Sequence, residues 1–315
     1  MPDKILDTIS LIIPCYNEAE SLLPLYNVLA TIASDLKDKA IFEVLFVNDG
    51  SVDNTLNIIK ELAAKDKTIK YISFSRNFGK EAAIFAGLKS CAGQYISILD
   101  ADLQHPPSML PSMYEAIVTE GYDCACARRT SRSGEPKMRS FFARNFYKLI
   151  NKVSKTKMVD GATDFSMMTR QVVNAILELP EYNRFYKGIY SWVGFETKWL
   201  PYQNVERIHG TTKWSFRGLF MYSLEGILSF STAPLVISSI IGIFLFFASI
   251  AIIITVVIRT ALFGDPVAGF PTLISAVSFI GGIQLFCLGI IGQYISKMYL
   301  EVKRRPVYLI KEDNL

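Results

Sequence analysis

Along the first 130 residues, short apolar runs alternate with segments whose apolar residues recur at helical spacing. Residues 9–14, 42–48, 69–75, 95–100 and 122–127 read as strands, and 21–36, 55–64, 80–92 and 108–120 as helices. Such alternation predicts an α/β domain with a largely parallel sheet covered on both faces. Ligands of such sheets bind beyond the C-terminal ends of the strands. Those ends carry Pro14-Cys15-Tyr16-Asn17-Glu18, Asn48-Asp49-Gly50-Ser51, Ser75-Arg76-Asn77-Phe78-Gly79-Lys80 and Asp100-Ala101-Asp102.

The pattern then changes. Residues 233–258 and 270–295 are each 26 residues long without a charged side chain, enough as helices to cross a hydrocarbon core of about 30 Å. Ser231 and Thr232 can cap the first, while Pro234 and Pro271 suit the opening turns. Lys213 and Arg217 precede the first span, and Lys297, Lys303, Arg304 and Arg305 follow the second. The positive-inside rule puts both termini in the cytoplasm, as expected of a multi-pass protein of the bacterial cytoplasmic membrane. Residues 1–7 are polar and do not read as a signal peptide. The expected division is a catalytic domain over 1–212, an amphipathic juxtamembrane helix over 213–232, spans at 233–258 and 270–295 around an extracytoplasmic loop 259–269, and a cytoplasmic tail 296–315.

Residues 128–157 are strongly basic, with Phe141, Phe142, Phe146, Tyr147, Leu149 and Ile150 interleaved at helical spacing. A basic amphipathic segment of this kind lies on a membrane surface or faces an anionic ligand; packing against the sheet is the alternative. Net charge is only +4 in 315 residues, which gives no nucleic-acid footprint. Half the residues are hydrophobic and mean hydropathy is +0.28, the excess lying in the two spans. Five cysteines without CxxC argue against a disulfide framework or zinc site, and two histidines exclude a His-rich metal centre.

The candidate chemistry centres on Asp100 and Asp102, two acids at the end of an apolar strand. Buried charge needs compensation, and oxygen-only ligands suit Mg²⁺ or Mn²⁺ shared with a diphosphate. The alternative is a turn, since Asp is common after strands. Asp49 could equally make the turn before Thr55, and His105 reads as a loop residue rather than a ligand. Neither GxGxxG nor a P-loop follows the first strand. A nucleoside diphosphate with a metal-stabilised leaving group remains, as in nucleotide-sugar glycosyl transfer.

Six motifs in order resemble family 2 glycosyltransferases of the GT-A fold: Ile12-Ile13-Pro14-Cys15-Tyr16-Asn17-Glu18, Val47-Asn48-Asp49-Gly50-Ser51, Ser75-Arg76-Asn77-Phe78-Gly79-Lys80-Glu81, Leu99-Asp100-Ala101-Asp102-Leu103-Gln104, Thr163-Asp164-Phe165 and Gly210-Thr211-Thr212-Lys213-Trp214. The similarity is closest to polyisoprenyl-phosphate glycosyltransferases, including bactoprenol glucosyltransferases and dolichyl-phosphate mannose synthase. It implies that Pro14, Tyr16, Glu18 and Asp49 hold the nucleoside, with Arg76 and Lys80 nearby. Asp100 approaches ribose and diphosphate, Asp102 ligates the metal and Gln104 lines the pocket. Asp164 falls near the sugar, Arg128 and Arg139 grip the lipid phosphate, and Arg207 and Lys213 close over the diphosphate. Ala143 stands where the synthase subgroup has a hydroxyl residue, which shifts phosphate gripping towards Arg132, Arg139 and Arg144.

The resulting expectation is inverting transfer of glucose, or N-acetylglucosamine or another sugar, from a UDP-sugar to undecaprenyl phosphate. A lipid-linked product further implies a downstream flippase and a second glycosyltransferase. Gly282 and Gly289 suggest close helix packing and a homo-oligomer. A processive polysaccharide synthase is disfavoured because none of Trp192, Trp199 and Trp214 follows an arginine. A non-catalytic membrane nucleotide-sugar-binding subunit is disfavoured by the intact acid pair.

Overall fold

The strand β1 (Asp7–Cys15) shows why the sheet is covered twice. Ile9, Leu11 and Ile13 enter one buried cluster while Ile12 enters the other, as the two-residue period of a strand requires. In this computed structural model, residues 6–130, 151–152, 159–179, 181–202, 231, 233–263 and 269–315 are described. β1 pairs in parallel with β2 (Ala40–Asn48) and β4 (Tyr95–Ile98), and β2 in parallel with β3 (Ile69–Phe74). Helices α1 (Ala19–Asp35), α2 (Thr55–Lys65) and α4 (Leu110–Val118) cover the first face through Leu22, Leu25, Ile59, Leu62, Leu110 and Met113. The other face takes α3 (Lys80–Ser90) and two later helices, α5 (Arg170–Leu177) and α6 (Tyr186–Val193).

Each large aliphatic side chain so buried contributes about 1.5–3 kcal/mol. α3 comes especially close because its inner face is small. A Cβ on Gly87 would stand 2.3 Å from Ile12 Cγ2, so only glycine permits that approach.

The expected strand over 122–127 appears as β5 (Cys124–Arg129), but it does not lie beside β4. β6 (Ala162–Thr169) inserts between β4 and β5 and runs antiparallel to both. With β7 (Thr197–Tyr202) and β8 (Ile310–Asp313), the order is β7-β5-β6-β4-β1-β2-β3-β8. β6 has no clean apolar run, since Thr163, Asp164 and Ser166 interrupt it. Its buried Ser166 is accommodated because the Ser166 hydroxyl donates to the Asp164 carbonyl at 3.1 Å, while its own carbonyl accepts from Ser97 Oγ at 2.9 Å. Its direction matters for the site. Ile98 faces Ser166 in register, so the chain leaving β4 towards Asp100 passes the start of β6, where Asp164 lies.

Two long helices follow, α7 (Ala233–Phe263) and α8 (Phe270–Lys303), overrunning the expected spans at their C-terminal ends. Ser231 Oγ accepts the Ala233 N–H at 3.1 Å, as a cap should. Both helices are long and apolar enough to cross a membrane, and their apolar windows are almost wholly exposed, unlike a core helix. Among the described residues nothing lies within 4 Å of a Cβ built on Gly282 or Gly289. The helices meet instead where Tyr294 OH donates to the Ser231 carbonyl and Cys287 Sγ approaches Ser238 O. Arg132, Arg139, Arg144, Arg207, Lys213 and both amphipathic segments' apolar residues lie outside the described residues.

Candidate active site

The site is assembled from strand ends tied across the sheet. After β1, Asn17 adopts φ 55°; its N–H donates to Ser51 Oγ at 3.0 Å and its Oδ1 accepts from Val52 N at 2.9 Å. Glu18 N donates to Thr55 Oγ1 and Ala19 N to Asp53 Oδ2, so the β1 and β2 loops form one unit. Asp49 is buried after β2. Its two carboxylate oxygens accept the Phe78 N–H at 2.6 Å and the Gly79 N–H at 2.9 Å, which fixes the loop after β3. Burial nevertheless raises its pKa against those N–H bonds. Gly50 at φ 64° passes so close that an added Cβ would stand 2.3 Å from the Arg76 carbonyl carbon.

These loops wall a cleft of ≈790 Å³, in the range of small-molecule sites. Pro14, Tyr16, Glu18, Asp49, Lys80, Asp100, Asp102 and Gln104 all line it, eight of the residues read from sequence as one constellation. Arg76 is not among the lining residues: its guanidinium stacks 3.9 Å from the Phe78 ring centre and donates to Asn77 O. Arg128 is exposed at the end of β5, its Nε donating to Asp160 O at 3.1 Å.

Lys80, in the same cleft, has its Nζ 2.6 Å from Asp100 Oδ1 and 2.6 Å from Asp164 Oδ2. Burial would lower its pKa, but Asp100 and Asp164 hold it well above the ordinary lysine range. Burial would likewise raise Asp164, but Lys80 and then Lys187 hold it well below the usual carboxylate range. The Lys80 side chain as a whole is 41% exposed, and those of Asp100 and Asp164 are 23% and 19% exposed, so the cluster sits at the cleft surface.

Sequence reasoning gave no role to Glu81 and Lys187, and read His105 as a loop residue, which it is. His105 is half-buried there, its Nδ1 is buried with no hydrogen-bond partner among the described residues and lies 3.7 Å from Asp100 Oδ2; burial lowers its pKa despite Asp100. Glu81 accepts the Tyr186 N–H at 2.9 Å, and burial followed by repulsion from Asp164 raises its carboxyl to about 7. Lys187 on α6 supplies a second positive field to Asp164. Only adjacency to Lys80 and to the acid pair could have flagged Glu81 and His105.

The donor set for a cation is sparse. Among the described residues no group of three or more His, Cys, Asp or Glu could hold a metal by itself. Asp100, Asp102 and the Gln104 amide offer oxygens to one cleft, which fits Mg²⁺ or Mn²⁺ completed by phosphate and water rather than a closed protein cage.

The family model for glycosyl transferase family 2 matches residues 10–177, more than half of the chain. The chain belongs to glycosyl transferase family 2. The matched span runs from β1 through α5 and so contains every strand end that walls the cleft. This family 2 chain is 47% identical to CsbB of Bacillus subtilis (strain 168), over 98% of its own length and 92% of the relative's. It is 41% identical to the SfII prophage-derived bactoprenol glucosyl transferase of Shigella flexneri, over 97% and 98% of the two chains. With the prophage bactoprenol glucosyl transferase homolog of Escherichia coli (strain K12), identity is 42% over 96% and 98%.

Proposed function

We propose that this glycosyltransferase moves glucose from UDP-glucose to a polyisoprenyl phosphate at the cytoplasmic membrane face, with inversion at the anomeric carbon. The cleft carries the reading: a diphosphate-sized cavity with Asp100 and Asp102 at its wall and Lys80 and Asp164 beside them. Glucose and the polyisoprenyl acceptor are supported by the names of the near-full-length relatives, and the membrane by the two exposed apolar helices. The same reaction with N-acetylglucosamine or another sugar is tested by the donor panel below.

Tyr16, Glu18 and Pro14 bind the nucleoside, in a wall held by Asp49. Asp100, Asp102 and Gln104 would hold Mg²⁺ or Mn²⁺, which when bound supplies Lewis-acid stabilisation of the leaving diphosphate. Lys80 stands within reach of the same charge and adds electrostatic stabilisation. The acceptor needs no strong base, because a phosphate monoester with a second pKa near ~6 is already largely dianionic at neutral pH. Asp164 fits this: a carboxylate held well below its usual range is a poor proton acceptor but a permanent negative charge. It therefore orients the sugar or acceptor and balances the cationic transition state. Arg128 and Arg139 grip the lipid phosphate for in-line attack, and Arg207 and Lys213 close over the diphosphate.

The test is direct. The purified full chain is incubated with undecaprenyl phosphate, Mg²⁺ or Mn²⁺ and each labelled UDP-sugar, then extracted with organic solvent. Label from UDP-glucose enters the organic phase; label confined to water for every donor overturns the proposal.

A further inference from the structure

The last turn of α8 is fastened to the catalytic domain by one side chain. Glu301 Oε1 accepts the Tyr182 N–H and Asn183 N–H, each at 3.0 Å, and the Asn183 side-chain amide at 3.1 Å. The Asn183 amide also reaches Lys297 O at 3.4 Å, one turn earlier on the same helix face. A carboxylate bound by this many N–H groups is a charge-assisted clamp. The gripped segment is short. Within three residues it enters α6, whose first amide, Tyr186 N–H, is held by Glu81. Between them Arg184 donates to Leu179 O and stacks 4.1 Å from the Phe85 ring of α3. Glu81 follows Lys80, which contacts Asp100 and Asp164.

We infer that Glu301 is a positioning residue that sets the reaction centre against the membrane helix, at the height and tilt where an acceptor phosphate in the headgroup plane reaches Asp164. The inference rests on the membrane-acceptor reading. A soluble donor reaches the cleft from any direction, and so does a soluble acceptor. Only an acceptor confined to the bilayer surface depends on how the catalytic domain is hung from α8. Loss of the clamp therefore acts on one class of substrate.

The experiment uses the full chain in lipid nanodiscs, with undecaprenyl phosphate in the bilayer and, separately, a water-soluble ten-carbon isoprenyl phosphate. For Glu301→Ala, kcat/KM with the bilayer acceptor falls about tenfold, mostly through KM, while the soluble acceptor stays within about twofold. Glu301→Gln keeps an acceptor oxygen and restores most of the loss. Equal losses on both acceptors mean a merely structural role and overturn the inference, as does no loss on either. If the unmodified chain labels the soluble acceptor but not the bilayer one, the membrane-acceptor reading itself falls, and the clamp's role with it.

Discussion

Lys80 and Asp164 form an ion pair 2.6 Å long although they start a helix and a strand 84 residues apart in the chain. The lysine is also the counterion of Asp100, so one ammonium pairs with two carboxylates and only partly offsets their charge. Lys80→Met leaves the acids facing each other, and like charges raise each other's pKa. The expected result is about a 100-fold fall in kcat and an acid limb of the pH–rate profile displaced to higher pH. An unmoved acid limb would show that Lys80 does not set the ionisation of Asp164.

Asp102→Ala removes a proposed metal ligand from the cleft wall without touching the core. Transfer drops by about 100-fold or more, while the melting temperature in detergent changes little. Retained lipid label at saturating Mg²⁺ or Mn²⁺ would remove Asp102 from the metal role.

Asp49→Asn puts an amide NH₂ against one of two backbone N–H groups. One buried donor loses its acceptor, a cost of about 1–3 kcal/mol. Because the loop after β3 shapes the donor side of the cleft, KM for the UDP-sugar should rise more than kcat falls. Steady-state kinetics with varied donor separate the two, and an unchanged donor KM would contradict the role assigned to that loop.

Glu81 gives a stability signature of definite sign. Its carboxyl is raised to about 7 in the fold, above the ordinary range near 4.5, so the native state binds the proton more tightly. This contribution is fully present below about pH 4.5 and is lost as pH rises through about 7, up to about 3 kcal/mol. Glu81→Gln still accepts the Tyr186 N–H and removes this slope. Thermal melts between pH 5 and 8 should therefore converge at low pH and separate, with the variant higher, towards pH 8.

Tyr308 stacks on Phe74 with ring centres 4.9 Å apart and planes 14° apart, and β8 pairs antiparallel with β3 beside it. Tyr308→Ala should cost about 2 kcal/mol of catalytic-domain stability. Truncation after Arg305 should also expose the β3 edge and promote aggregation, measurable by light scattering. A truncated chain as stable and monodisperse as the parent would refute this.

The first half of the domain was legible because β1 to β4 are mostly apolar, broken only at single positions such as Ser10, Glu43, Lys70 and Ser97, between well-marked helices. The strand expected over 42–48 is Ala40–Asn48, and the helix expected from residue 80 begins at Lys80. Eight of the residues picked from those strand ends line one cleft. β6 escaped because polar residues break its run, and without its antiparallel insertion the proximity of Asp164 to Lys80 and Asp100 is invisible. His105 was legible as a loop residue, but its packing was not, because the rings it meets, Phe165 and Tyr202, come from distant strands. β8 escaped because Ile310-Lys311-Glu312-Asp313 is nearly all charged and is held as an edge strand by partners such as Lys60, 2.6 Å from Glu312.

The outermost strand also has a history written into it. Tyr71 N donates to the side chain of Asn314, 243 residues further along. During synthesis β3 is therefore finished long before its partner exists, and both apolar helices, α7 and α8, are made in between. The sheet can therefore be closed only late, after β7 and both long helices have been added, and the order of synthesis leaves the β3 edge to be covered last. A chain whose segment after α8 cannot reach β3 keeps an open strand edge, and a local flaw there reports a fault anywhere in the long stretch before it.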